Sequence, residues 1–230
     1  MLLRLTPILL ALLYGFVLWR FSAWRTAREL DANSTELTDP ALAAVTGRLA
    51  LALGVGRIPV RVYEIATVNG LAAPDGRIFL TRGFLDRFRE GKVTAEELAG
   101  VIAHELGHVA LGHSRRRMIY FSGQNAIRVV LATVLGRLLP GIGVWLAGML
   151  TSLLAARLSR QDEYEADEWA SALLVKAGIG TGPQKSLFAK LGALSGQSGG
   201  ATPDWLTSHP RTADRIAAIE ANEAKWGLRP

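Results

Sequence analysis

Residues 99–114 read AGVIAHELGHVALGHS, and this stretch holds three of the four histidines of the 230-residue chain. Its apolar residues recur at helical spacing. Thr94 and Glu97, just upstream, have the pattern of a capping box. A helix is therefore expected to open there and run through the histidines. Residues four apart on a helix share a face, so His104 and His108 present two imidazoles side by side. Glu105 lies about 100° around from His104. It falls on the stripe of Leu98, Ile102 and Val109, the face that should turn inward, where an uncompensated carboxylate would be costly. A metal centre removes that conflict.

The spacing is the H-E-x-x-H arrangement of metallopeptidases. Zinc lowers the pKa of a coordinated water toward 7, and a carboxylate beside it can take the proton and pass it to a leaving amine. Glu105 is the candidate general base and acid. His113 lies nine residues past His104, about 180° around a continuous helix. It is therefore expected to be structural. The extended motif with a third histidine ten residues on and a glycine at the seventh finds Ser114 and Leu111 instead.

The chain has no cysteine, so thiolate ligands and disulfides are excluded, and a carboxylate is the natural third ligand. DEYEAD (162–167) supplies candidates. Glu163 and Asp167 are four apart on a helix and share a face, whereas Glu165 points the other way. Glu163 could bind zinc while Asp167 accepts a hydrogen bond from a ligand imidazole, fixing its orientation. Taken alone, such acidic residues near a helix start only complement its dipole. Beside the histidine helix, two His and one Glu with an open fourth position form a known catalytic zinc set.

HELGH (104–108), then SRQDEYEAD (159–167), then SHPRTADRI (208–216) together resemble the zinc metallopeptidases of the HtpX and CaaX-prenyl-protease type, over roughly residues 40–225. The resemblance implies a zincin-like domain, α+β and mainly α, with a small β-sheet packed beside the HExxH helix. It also implies one Zn2+ per chain, held by His104, His108 and Glu163, with Asp167 behind them. His209 and Arg215 are implied to line the site and to hold substrate or an oxyanion. The edge strand that pairs with substrate backbone in the family resembles VNGLAAPDGRIFLTRG (68–83), which places Asn69 beside the substrate. The family's Asn-Ala-aromatic-Ala is here Asn69-Gly70-Leu71-Ala72, a departure that bears on subsite shape. An extended polypeptide adding a strand at a sheet edge is a recognised way to bind backbone with little sequence demand.

Outside this centre the chain is half apolar. Residues 1–20, MLLRLTPILLALLYGFVLWR, are long and apolar enough for a single uncleaved transmembrane anchor contacting membrane lipid. Trp19 and Trp24 stand at its edge, and Arg20, Arg25 and Arg28 follow against Arg4 in front. That asymmetry favours a cytoplasmic catalytic domain. Residues 28–40 read as a polar linker to a peptidase domain over 41–230, and 58–85 as two or three strands. Residues 126–157 are apolar but interrupted by Arg137 and by Pro140-Gly141. Their two halves are too short to cross a bilayer, so a helical pair packed on the domain or dipping into the interface is expected. A helix is expected over 159–180, closed near Lys176 and Gly178.

The net charge of +6 comes with scattered arginines, without aromatic interleaving or a binding module, which argues against nucleic acid. Arg115, Arg116 and Arg117 suit a helix C-terminus or anionic headgroups equally. The reading is a membrane-anchored zinc metalloendopeptidase acting on polypeptides, with a role in protein quality control implied by the resemblance. The alternative is a non-catalytic, membrane-tethered binding or chaperone-like protein that keeps zinc for structure.

Overall fold

The computed structural model describes residues 2–73, 75–196 and 212–228, and for residues 2–12, 15, 18, 19, 23, 114, 115, 117–126, 192–196 and 212 the backbone alone. In chain order these form α1 (Leu2–Ala32), β1 (Ser34–Glu36), α2 (Pro40–Leu53), β2 (Val60–Tyr63), β3 (Gly70–Ala72) and β4 (Ile78–Thr81). Then come α3 (Arg82–Arg89), α4 (Ala95–Ala110), α5 (His113–Leu138), α6 (Gly143–Lys176), α7 (Gly182–Gly196) and α8 (Thr212–Lys225). The architecture is α+β and mostly helical, with one small mixed sheet, and it fits the zincin-like domain expected.

The helix that carries HELGH is α4, and its start is the expected capping box. The Glu97 backbone N–H donates to Thr94 Oγ1 at 3.1 Å, and the Thr94 N–H donates to Glu97 Oε2 at 2.9 Å. Glu97 also accepts from Ser186 and pairs with Lys190, tying α4 to α7. Almost every residue from Leu98 to His108 is buried. The helix has no polar outer face to give away because α2, α6, α7 and the sheet surround it. Leu98, Ile102, Phe84, Leu174 and Leu191 meet in the core it runs through.

The strand order is β1-β2-β4-β3; β2 and β4 run parallel, and the two outer pairings are antiparallel. The 58–85 segment supplies three of the strands. β4 is buried at every position, as an inner strand covered on both faces should be. β3 is the edge strand on the side of α4.

Three expectations change. Residues 28–32 continue α1, and Ser34–Glu36 pair with Arg61–Tyr63, so the segment read as a linker adds an outer strand to the sheet. Its polar composition reflects an exposed edge strand. The helix expected to begin at Ser159 is the second half of α6, one helix of 34 residues that begins at Gly143. The 126–157 region is the expected helical pair, formed by the end of α5 and the start of α6. It is the tip of a long antiparallel hairpin, α5 and α6, turning over Leu139–Ile142.

The third concerns the membrane. Among the described residues no helix is long and apolar enough to cross one. The anchor expected over 1–20 is thus not found there, and the side chains of its first twelve residues lie outside those described. Farther along α1, Leu13, Phe16, Val17, Phe21 and Trp24 are exposed. The hairpin tip likewise exposes Val130, Leu138, Val144, Trp145 and Leu153.

Candidate metal centre

The site forms where α4 crosses α6. A Cβ placed on Gly107 would stand 3.0 Å from the Ala166 carbonyl oxygen and 3.2 Å from its Cα, so only glycine allows the two backbones this close. The crossing puts one turn of each helix face to face. His104 and His108 come from α4, and Glu163 and Asp167 from α6.

His104 Nε2 lies 3.1 Å from His108 Nε2 and 3.4 Å from Glu163 Oε2, and His108 Nε2 lies 3.5 Å from Glu163 Oε1. Zinc bonds of about 2.0–2.1 Å at tetrahedral angles require donors roughly 3.4 Å apart. The observed triangle has that size, and its donors are two imidazoles and a carboxylate. The cluster is compatible with metal binding. His104 and Glu163 are 1% and 2% exposed. Glu105 is buried next to His104 on α4.

Behind the triangle, Asp167 Oδ1 is 2.8 Å from His104 Nδ1. Arg215, on α8 and also 1% exposed, donates to Asp167 through Nε at 2.6 Å and Nη2 at 2.7 Å. The guanidinium also lies 3.8 Å from Glu163 Oε2 and stacks 4.3 Å from the Phe188 ring centroid. Burial alone would raise the Asp167 carboxyl, but the charge and hydrogen bonds of Arg215 hold it below its ordinary range. Burial likewise opposes charge on His104. Asp167 and Glu163 outweigh it and push the imidazole up to about 9.

Of the other residues singled out, His209 lies outside the described residues. Asn69 immediately precedes β3. Its carbonyl accepts from the Thr81 N–H at 3.0 Å and hydroxyl at 2.9 Å, and its own N–H donates to Thr81 Oγ1 at 2.9 Å. These bonds lock the backbone at the start of the edge strand.

The position of His113 was not legible from helical spacing. α4 ends at Ala110, Gly112 adopts φ 66°, and α5 restarts at His113. The helical wheel therefore does not apply across Gly112. His113 Nδ1 comes to 2.7 Å from His108 Nδ1, and the ring is buried. Asp162 and Glu165 from α6 approach its other nitrogen, and Arg116 bridges the two carboxylates. Gly112 was the one signal in the sequence, as a residue suited to ending a helix.

The profile of peptidase family M48 matches residues 36–223. The chain is 30% identical to the metalloprotease LoiP of Escherichia coli strain K12, over 89% of this chain and 80% of that protein. It is 32% identical to the metalloprotease YcaL of the same strain, over 75% and 66%. It is 31% identical to a protease HtpX homolog of Bordetella avium, over 75% and 67%.

Proposed function

The chain belongs to peptidase family M48 and is a metallopeptidase, and from that footing we propose that it is a zinc-dependent endopeptidase whose centre is the α4–α6 crossing. His104, His108 and Glu163 would hold one zinc ion. Bound there, zinc would supply Lewis acidity toward the attacking water and the scissile carbonyl. Glu105 takes the water's proton and returns it to the departing amine. Asp167 accepts the Nδ1 hydrogen of His104, which keeps the Nε2 lone pair turned toward the other donors. Arg215 holds Asp167 in place. His209 is proposed to line the substrate side, as the resemblance implies. An extended polypeptide lies antiparallel or parallel to β3, starting near Asn69, and pairs with the strand's outer edge.

The observation that carries this reading is the donor triangle, sized for a tetrahedral ion and adjoining a buried glutamate. The test is metal content and peptidase activity together. Wild type and Glu105→Gln should each bind about one zinc, while Glu105→Gln loses on the order of 10²–10⁴ in rate. His108→Ala and Glu163→Ala should lose the metal. Zinc bound without peptidase activity in wild type, with cellular function left intact by Glu105→Gln, would instead favour the tethered binding protein with structural zinc.

We further propose that the chain works at a membrane surface, on membrane-associated polypeptides and in protein quality control, with the domain on the cytoplasmic side. The exposed apolar residues of α1 and of the hairpin tip support contact with lipid. So does the charge of residues 113–161, which include seven arginines and no aspartate or glutamate. Flotation with anionic vesicles should carry the full chain upward, and a chain shortened by residues 1–27 should float less. Equal recovery of both in the soluble layer would defeat the proposal.

A further inference from the structure

The histidine that the helical wheel sent away from the centre returns to it from behind. His108 faces the other donors through Nε2, 3.1 Å from His104 Nε2. Its Nδ1 points the opposite way, 2.7 Å from His113 Nδ1. Two ring nitrogens at that distance share one hydrogen, since two N–H groups cannot face each other there. If Nε2 of His108 is to offer a lone pair to a metal, that hydrogen resides on its Nδ1, and His113 must accept with Nδ1. The remaining hydrogen of His113 is then on Nε2, which lies 3.3 Å from Glu165 Oε2.

Glu165 is itself held. Its Oε2 accepts from Arg116 at 2.7 Å and its Oε1 from Gln161 at 2.9 Å. Asp162 Oδ1 stands 3.9 Å from His113 Nε2 and 3.4 Å from Arg116. A ring that accepts at Nδ1 and donates at Nε2 is the neutral tautomer, the one form of imidazole that can do both.

We propose that His113 is the positioning residue of the second histidine ligand. It fixes the tautomer and tilt of His108, and Glu165 in turn fixes the tautomer of His113. The centre is thus braced at both imidazoles, by Asp167 behind His104 and by the His113–Glu165 pair behind His108. This inference rests on the reading of His104, His108 and Glu163 as metal ligands. His113, Asp162 and Glu165 also have ligand chemistry of their own. The Arg116 guanidinium already lies against both carboxylates, however, and a divalent ion between them would meet its charge.

The experiment measures zinc dissociation constants on the purified full chain by competition with a chromophoric chelator, alongside melting of the metal-free forms. His113→Leu, which fills the space but cannot accept, should weaken zinc about 10–100-fold. His113→Asn, whose side-chain oxygen can sit where Nδ1 was, should recover to within a few-fold of wild type. Glu165→Ala, at a half-exposed position, should weaken zinc in the same direction but less, and it covers the case in which His113→Leu does not fold. Wild-type affinity in His113→Leu would overturn the proposal. So would equal losses in His113→Leu and His113→Asn that follow their metal-free melting temperatures, since that is packing alone. A second zinc equivalent in wild type that vanishes in His113→Leu, with the first unchanged, would make the cluster a metal site instead. If His104→Ala binds zinc like wild type, the ligand reading itself fails, and this inference falls with it.

Discussion

Arg215 grips Asp167 with two parallel hydrogen bonds, Nε to Oδ2 at 2.6 Å and Nη2 to Oδ1 at 2.7 Å, and neither side chain is more than 2% exposed. The pair joins α8 to α6 directly beneath His104. Removing one partner of a buried ion pair leaves the other charged and dry, at a cost of about 3–5 kcal/mol. Arg215→Met should lower unfolding stability by that order in denaturant titration. Combining it with Asp167→Asn should cost much less than the sum of the single changes, because the stranded charge is gone. Additive losses would mean that the two residues act independently.

Asp167→Asn alone addresses the metal. The amide can still accept from His104 Nδ1, but as a neutral group and in only one of its two orientations. Zinc affinity is expected to fall about 10–100-fold with Glu163 untouched, as read by the same chelator competition.

Gly107→Ala tests the helix crossing. The added methyl meets the Ala166 backbone at 3.0–3.2 Å and the Trp169 ring at 3.4 Å, so α4 and α6 must separate. Overpacking of this kind costs about 1–3 kcal/mol. Since the separation also widens the donor triangle, stability and zinc affinity should fall together. A loss of stability with unchanged affinity would show that the triangle does not depend on this contact.

Acid should loosen the α4–α7 seam. Burial works to raise the Glu97 carboxyl, but Lys190, Ser186 and the Thr94 N–H hold it below the ordinary value of 4.5. A carboxyl depressed in the folded state adds stability that is complete above 4.5 and is lost as pH falls through the lower folded value. Wild type should therefore lose stability below about pH 4.5. Glu97→Gln should be less stable at neutral pH and show a shallower fall through the same window. Parallel pH curves for the two proteins would remove Glu97 from the account.

Chelation should act as mass action. A ligand bound only to the folded chain stabilises by about 2.7 kcal/mol at a hundred times its dissociation constant. The melting temperature should drop on adding EDTA and return with zinc, but stay fixed in Glu163→Ala.

The centre of the fold was legible because its signals were local. Thr94 and Glu97 marked the start of α4, and four-residue spacing put His104 with His108 and Glu163 with Asp167. What escaped depends on how segments meet or where a helix breaks. The left-handed Gly112 undid a phase count that presumed one continuous helix, and so hid His113. The polar residues Ser34–Glu36 pair with Arg61–Tyr63, a long-range contact that no composition records. The join at residue 159 carries no breaker, and the two stretches on either side of it form one helix, α6. Arg215 came from the resemblance; its anchoring role on Asp167 appears only in the packing of α8.

That α6 is one unbroken rod has a mechanical consequence. Trp145 near its exposed tip is eighteen residues from Glu163, roughly 27 Å along the axis, while Glu163 is only about 4.5 Å from the contact at Ala166. If that contact serves as the fulcrum, a tilt of about 5° swings the tip by 2–3 Å and shifts Glu163 by about 0.4 Å. Donor spacings of 3.1–3.5 Å leave little room for such a shift. A displacement at the tip is therefore geared down about sevenfold before it reaches the carboxylate.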